Sequence, residues 1–270
     1  MKNGALRVFA AGIVLLLVLA LSGCGTDNSS QGPAVEKIFE KCVQKSVSYA
    51  TVKVNGNIKA NLSGGRYATR SFTGAARKIN DDNLQGKTVI SGRILSGQNE
   101  NATLYYDNGY VYFNTGDGWW KSPASPPKTF TDFAKYARNI RMLSSDKDSY
   151  KIACDISLQY LRDAFRLQPK PNQTRYEKGL NTVVNNSRIT AVLTIKKGSF
   201  LLTDVVEDTR MTIPNSSGGE TLHMSYYTHY YGYNSPADVS LPADALDANN
   251  AGNGLLFPWI QGFGQAAGPH

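Results

Sequence analysis

The sequence predicts a single α+β domain built around an antiparallel sheet. In residues 51–62, apolar residues such as Val52, Val54 and Ile58 occupy every second position, mostly with polar residues between them. Strict alternation over this length is typical of a strand with one face on a core and the other in water. Turn residues separate several more alternating stretches, which indicates successive hairpins. Amphipathic helices between the early and the late strands complete the α+β class.

The strands fall into an early and a late group. We predict them at residues 51–62, in a stretch ending near 72, and at 84–94, 103–106, 110–113, 150–156, 189–195, 200–213 and 222–230. Asn108-Gly109 supplies the left-handed conformations that a tight hairpin needs. Gly56 interrupts the first strand, where we expect a bulge or bend that helps the sheet to curve. Trp119 and Trp120 are adjacent on a strand, so one should face inward and the other outward.

Three segments are predicted to be helical. The first begins at Pro33 and repeats apolar residues at the spacing of one helical face. The second covers residues 130–143 on the same criterion, with Thr129 as its cap. The third covers residues 158–165, where Ser157 can cap the amino end and Pro169 stops the helix.

Residues 1–23 read as a secretory signal peptide. A basic start with Lys2 and Arg7 precedes an apolar run that ends at Leu21-Ser22-Gly23-Cys24. The run is too short to span a hydrocarbon core of roughly 30 Å, which needs about 20 apolar helical residues. The segment resembles bacterial lipoprotein signals, which implies that Cys24 is lipidated, becomes the first mature residue and anchors the chain. An ordinary thiol behind an uncleaved leader is the alternative. Residues 24–33 then form a flexible tether.

Charge and composition exclude some partners. The chain has 29 basic and 21 acidic residues, a formal net charge of +8, and the excess is spread along the sequence. This pattern favours solubility and a weak attraction to anionic lipid headgroups or wall polymers over nucleic-acid binding.

Two cysteines remain in the mature chain after Cys24. Cys42 and Cys154 each fall on an apolar face. Outside a reducing cytosol such a pair can form a disulfide, worth up to about 4.7 kcal/mol for a loop of about 100 residues. Two separately buried thiols are the equal alternative.

The sequence carries no pattern typical of catalysis, metal binding or cofactor binding. It has no nucleotide-binding, dinucleotide-binding, serine-hydrolase or zinc-protease motif. His223 and His229 share one face of a predicted strand, but at about 3.3 Å per residue they lie roughly 20 Å apart, too far for one metal ion. We therefore expect a protein that is not an enzyme.

The order of elements resembles the LolA/LolB and LppX/LprG superfamily of bacterial envelope proteins. The resemblance covers residues 34–248 and includes the aromatic hairpin YVYFNTGDGWWKSP and the late strand and exit YYGYNSPADVSLPADAL. It implies a curved antiparallel half-barrel, with helices covering the concave face and an apolar cavity between them. In such relatives the cavity holds acyl chains of lipids or lipoproteins. No ligand residue transfers individually, because the motifs are loose.

Six aromatic or aliphatic residues are the candidates for the lining of such a cleft, with ordinary core packing as the alternative for each. They are Trp119, Trp120, Phe130, Phe133, Tyr136 and Ile140. The expected function is binding of a lipid or other hydrophobic ligand by a lipoprotein anchored to the bilayer on the extracytoplasmic face. The alternatives are an envelope sensory or protein-interaction module, using Tyr105, Tyr112 and Tyr227, and a wall-polysaccharide binder.

Residues 249–270 form a separate tail. A Gly/Asn-rich linker precedes the apolar cluster 255–263, which could enter the cleft, touch the bilayer or recruit an envelope protein. A disordered end with incidental apolar residues is the alternative.

Overall fold

A computed structural model describes residues 32–80, 83–93, 97, 99–114, 118–123, 134–166, 181–213 and 219–250. Cys24 and the signal segment, the cleft candidates Phe130 and Phe133, and the apolar cluster of the tail lie outside these residues.

One large sheet with few helices makes up this part of the chain. Its strands are β1 Thr51–Leu62, β2 Tyr67–Asn80, β3 Asn83–Arg93, β4 Asn99–Asp107, β5 Tyr110–Asn114, β6 Trp119–Pro123, β7 Ala137–Ser145, β8 Ser149–Ile156, β9 Ser187–Lys196, β10 Leu202–Ile213, β11 Glu220–Tyr231 and β12 Asn249–Asn250. The helices are α1 Gly32–Val47 and α2 Gln159–Arg166, with helical residues at 134–136 and 181–185 and a 3₁₀ turn at Ala243–Ala245.

The sheet consists of two meanders joined through their first and last strands. The spatial order is β12-β6-β5-β4-β3-β2-β1-β11-β10-β9-β8-β7, which leaves the sheet open, with β7 at one edge and β12 at the other. All neighbours pair antiparallel except β12, which runs parallel to β6. The antiparallel sheet predicted from sequence is therefore confirmed, and it is not a closed barrel.

One face of the sheet, called the inner face below, packs against α1. Val35, Phe39, Cys42 and Val43 of α1 share a buried cluster with side chains from β1 and from β8 to β11. These strand residues include Val52, Ile152, Leu193, Val205 and Tyr230. Side chains alternate along a strand, so the pairing register extends the inner face to Phe72, Leu104 and Phe113 across the other meander.

A second apolar cluster lies toward the other end of the central strands. Leu62, Met211, Leu222 and Met224 pack there, together with Val183 from the helical residues 181–185. Along β10 and β11, the inner face between the two clusters carries polar side chains. The inner face thus carries a polar stretch between two apolar clusters.

The first strand and the aromatic hairpin agree with the prediction. The strand predicted at 51–62 is β1, with the same bounds. Asn108 and Gly109 connect β4 to β5 with φ of 48° and 78°. Gln159 N–H donates to Ser157 Oγ at 3.3 Å, which is the predicted cap of α2.

Of the bulge or bend expected at Gly56, the bulge is wrong, because β1 pairs with β2 and β11 without a register shift there. The bend stays a prediction. The glycine is required for close approach instead. A Cβ at this position would overlap the carbonyl oxygen of Tyr227 and lie 2.6 Å from Phe72 Cζ.

The helix predicted at 130–143 is also wrong over most of the described residues. Residues 134–136 are helical, but strand β7 begins at Ala137. Register shifts lie between Arg138 and Arg141 and again between Met142 and Ser144, and Asn139 has a φ of 52°. Each irregularity displaces the alternation by a residue, so the apolar positions of a bulged strand recur at helix-like spacing.

Candidate functional site

Trp119 and Trp120 lie on opposite faces of β6, as adjacent strand residues must. Trp120 pairs with Phe113 and lies on the inner face, partly buried. Trp119 lies on the outer face, where its ring centroid is 5.6 Å from that of Tyr105 and its Nε1 donates to Asp244 Oδ2 at 2.9 Å. Trp119 therefore attaches the 3₁₀ turn to the sheet, and only Trp120 of this pair faces the inner side.

Tyr136 and Ile140 are both partly buried against the cluster that contains α1. The ring of Tyr136 meets that of Tyr160 edge-on, with centroids 5.5 Å apart. These two candidates therefore lie against the core, near the edge of the sheet formed by β7.

Cys42 and Cys154 are fully buried free thiols in the structure. Both belong to the cluster under α1. Burial raises the pKa of each thiol to about 12. A thiol of this kind packs as a small apolar side chain and is a poor nucleophile.

Glu207 stands out in the polar stretch of the inner face. It is directly opposite Tyr226 of β11 on one side and Ala191 of β9 on the other. Thr209 Oγ1 donates to Glu207 Oε1 at 3.1 Å, yet burial raises the pKa of the Glu207 carboxyl to about 7. Its side chain is still partly exposed. Glu207 therefore combines a desolvated carboxyl with a side chain that is still partly exposed on the inner face.

Tyr226, like Glu207, is partly exposed and has a pKa raised by burial. It lies between Ile58 of β1 and Glu207 in the pairing register, and it is partly exposed. Its hydroxyl donates to Met224 Sδ at 3.1 Å. Burial and then the nearby charge of Glu207 raise the pKa of Tyr226 above its ordinary value.

Tyr230 carries a buried polar atom without a partner. The residue is 4% exposed, and its hydroxyl makes no hydrogen bond. Burial, followed by the charges of Tyr233 and Glu207, raises the pKa of Tyr230 well above its ordinary value. A buried hydroxyl normally finds a partner, so Tyr230 is an exception, and it lies within the electrostatic influence of Glu207.

The outer tyrosines are largely engaged in the protein's own contacts. Tyr105 is 5% exposed beneath Trp119, and Tyr227 donates its hydroxyl to Asp204 Oδ1 at 2.8 Å. Tyr112 is partly exposed. Of these three tyrosines, Tyr105 is therefore buried, whereas Tyr112 and Tyr227 keep part of their surface exposed.

Within the described ranges, no group of three His, Cys, Asp or Glu side chains is arranged to hold a metal ion. No helix in those ranges is both long and apolar enough to cross a bilayer.

Sequence reasoning missed Glu207, although the signal was present. In residues 202–213 the inward positions include Val205, Thr209 and Met211, and Glu207 occupies the same alternating register. An acidic side chain at an otherwise inward position was the observation that could have found the site.

Comparison with known proteins gives a loose structural likeness. No family model and no curated protein matches the chain. A LolA superfamily protein from Nitrosomonas europaea aligns at 9% identity over 77% of this chain and 94% of its own, with a TM-score of 0.28. A DUF1329 family protein from Desulfovibrio piger aligns at 10% identity over 76% and 95%, with a TM-score of 0.29.

A domain described as an outer membrane lipoprotein-sorting protein, from Vibrio parahaemolyticus, aligns at 8% identity over 79% of this chain and 97% of its own, with a TM-score of 0.29. The chain is thus loosely similar to LolA-type proteins, as its sequence indicated, and the function proposed below is argued from its own residues.

Proposed function

We propose that the protein is a lipid-anchored lipoprotein on the extracytoplasmic side of a membrane, which binds a lipid or other apolar ligand on its inner face without catalysis. The observation that supports this function is the accessibility of Glu207 and Tyr226 between two apolar clusters of the inner face. Side chains that are deep in the sheet and still reachable by solvent line a cleft rather than a closed core.

The length of chain between β6 and β7 supports a curved inner face. In a flat sheet, β6 and β7 would be ten strand spacings apart, about 48 Å. Fourteen residue steps join Pro123 to Ala137, and with 134–136 helical they span about 44 Å at most. Strands β6 and β7 must therefore lie closer together than they would in a flat sheet. Since α1 packs on the inner face, we infer that this face is the concave one and that α1 covers part of it.

The anchor is proposed from the sequence. Cys24 follows the small residues of a lipobox, and α1 begins at Gly32, so a short tether would separate the lipid from the folded domain. Fully extended, a tether of this length reaches less than about 30 Å. The domain would then remain close enough to the bilayer to exchange an acyl chain with it.

Binding would be driven by removal of apolar surface from water. An acyl chain on the inner face gains about 25 cal/mol for each Å² of apolar surface buried. Trp120, Phe72 and Ile58 are apolar or aromatic side chains in the register of this face. The proposed activity is therefore sequestration of a hydrophobic molecule.

Native mass spectrometry of the full-length protein, purified from its own membrane and followed by organic extraction, tests the binding function. We expect a stoichiometric lipid that is reduced by Tyr226→Trp, which fills the inner face, and retained in Tyr227→Trp, the neighbouring outward position. An apo mass for the unmodified protein would overturn the proposal.

The anchor has a separate test. Replacement of Cys24 by Ser should move the protein from the membrane fraction to the soluble fraction. Continued membrane association of Cys24→Ser would contradict lipid anchoring at this residue and leave the ligand-binding proposal standing.

A further inference from the structure

We propose that Glu207, Tyr226 and Tyr230 form a binding site for the positively charged amine of an amphiphilic ligand, an alkylammonium headgroup. This inference rests on the proposed function, since it names the chemical class of the ligand's polar end. The apolar chain would lie along the inner face, and the headgroup would be held in the polar stretch between the two apolar clusters.

The Glu207 carboxylate has no cationic partner within the described part of the chain. Its one hydrogen bond there comes from Thr209, to Oε1, which leaves Oε2 open. The inner-face cation in the same cross-strand row is Arg70, whose backbone is three strand spacings away through Ile58 and Tyr226, or about 14 Å. The pKa of Glu207 responds to burial and to Thr209, with no contribution from Arg70. A carboxylate that is deep in a protein and unpaired is costly. A bound cation removes this cost.

Tyrosine side chains lie near the carboxylate. Tyr226 is its direct cross-strand neighbour, and Tyr160 of α2 packs into the adjoining cluster with Tyr230. Aromatic ring faces attract ammonium groups, most strongly where water is excluded. A carboxylate with several tyrosines is therefore suited to a cation and unsuited to an anion.

The hydroxyl of Tyr230 adds a hydrogen-bonding requirement. It is buried, and its oxygen has no partner. Tyr230 lies four residues from Tyr226 on the same face of β11, and its hydroxyl is near enough for the charge of Glu207 to act on it. A primary ammonium group has three N–H donors, so one held between these two side chains can donate to Tyr230 Oη and to the Glu207 carboxylate. A quaternary ammonium group has no N–H and cannot satisfy this hydroxyl. The arrangement favours a primary amine.

Binding of such a cation should depend on pH. Among the described residues, Tyr226 and Tyr230 of β11 and Cys154 of β8 are the titratable groups that feel the charge of Glu207, and Tyr160 of α2 lies beside the two tyrosines. None of these four carries a positive charge. Glu207 loses its proton near pH 7, so its attraction for a cation develops as the pH rises through that value. An uncharged ligand would bind without this dependence.

Calorimetric titration of the full-length protein in lipid nanodiscs tests the site, with empty nanodiscs as the baseline. The probes are decylammonium, decanoate and decyl maltoside below the concentrations at which they form micelles. At pH 8 we expect decylammonium to bind about tenfold more tightly than the other two, with the preference lost at pH 5.5. Glu207→Gln should abolish the preference at pH 8 and keep the affinity for decyl maltoside.

Asp208→Asn is the matched control, because its carboxylate is on the same strand but faces outward, and it should keep the preference. Equal binding of the three probes by the unmodified protein would overturn the amine site and leave apolar binding intact. Failure of all three to bind would overturn the proposed function itself. A preference that persists in Glu207→Gln would show that another group selects the cation.

Tyr230→Phe separates the role of the hydroxyl. The variant should weaken decylammonium binding several-fold and leave decyltrimethylammonium unchanged, because only the first can donate to the oxygen. Equal effects on both probes would contradict the hydrogen bond to Tyr230.

Discussion

Strand β10 carries carboxylates on both faces of the sheet, and their surroundings are opposite. On the outer face, Asp204 accepts hydrogen bonds from Tyr227 and from His229 Nδ1, at 2.8 Å and 2.9 Å. Asp208 lies 2.6 Å from His223 Nε2 on the same face. On the inner face, Glu207 has the Thr209 hydroxyl and an open oxygen.

The pKa values of Asp204 and Glu207 shift in opposite directions because the two carboxyl groups have different hydrogen-bond partners. Partial burial works to raise the pKa of Asp204, but hydrogen bonds from Tyr227, His229 and Thr203 outweigh it and the pKa is lowered. Burial dominates at Glu207, whose pKa rises to about 7. The difference separates a carboxylate that stabilises the fold from one that the fold tolerates at a cost. Acids of the second kind are characteristic of functional sites.

The most damaging change should be Gly56→Ala, which disturbs both faces at once. The added Cβ would overlap the Tyr227 carbonyl and crowd Phe72, so β11 would have to shift together with its inward Tyr226 and outward Tyr227. We expect a loss of at least about 3 kcal/mol in the free energy of unfolding, measured by urea denaturation. Gly64→Ala is the control, since its Cβ would approach only Glu220 Oε1, at 3.4 Å. Equal stability of the two variants would contradict the close approach at Gly56.

Glu207→Gln should stabilise the unliganded protein at alkaline pH. A carboxyl whose pKa is raised on folding contributes stability below its unfolded pKa, near 4.5, and loses it as the pH rises through about 7. The variant should match the parent at pH 4.5 and exceed it by up to about 3 kcal/mol at pH 8. Denaturant titrations at both pH values measure this, and a destabilised variant at pH 8 would show that Glu207 is paired.

Asp204→Asn should behave in the opposite sense. A lowered pKa contributes stability above the unfolded value of 3.8, and that stability is lost as the pH falls through the folded pKa. The variant should therefore be less stable than the parent by about 1–2 kcal/mol at pH 7, with the difference shrinking toward acid pH. The same titrations apply. A constant difference from pH 7 down to pH 2 would argue against a contribution from ionisation.

Two tyrosines of β11 extend the comparison to hydroxyl groups. Tyr230→Phe removes an unpartnered buried oxygen and should be neutral or stabilising by about 1 kcal/mol, whereas Tyr227→Phe removes a donor to Asp204 and should cost about 1 kcal/mol. Thermal unfolding at neutral pH gives both values. A destabilised Tyr230→Phe would indicate a partner for its hydroxyl.

The smallest effect is expected at the two buried thiols, Cys42 of α1 and Cys154 of β8, which should resist alkylation in the native protein. Cys42 and Cys154 are buried, with pKa values raised to about 12, so an alkylating reagent at pH 8 should leave both unlabelled in the native protein. In denaturant without reductant, both should react. Labelling that requires a reductant would instead support the disulfide alternative.

Local pattern predicted some elements closely and failed where pairing decides the outcome. Strand β1 was predicted to the residue because its side chains alternate without interruption. Strand β7 was mistaken for a helix because irregularities around Asn139 disturb its alternation. The alternation around Glu207 places it on the inward side of β10, but its cross-strand neighbour Tyr226 follows from the pairing register, which no stretch of sequence near Glu207 encodes. The cleft candidates were chosen for aromatic character, and that criterion excludes an acid.

The pairing of β1 with β11 has a consequence for when the protein can fold during its synthesis. Val54 pairs with Tyr230. Strand β1 can therefore pair with β11, its second neighbour, only after nearly the whole chain has been synthesised. Such distant partners slow folding and leave an unsatisfied strand edge in the meantime. The proposed export of this chain through a narrow channel before folding would benefit from this delay.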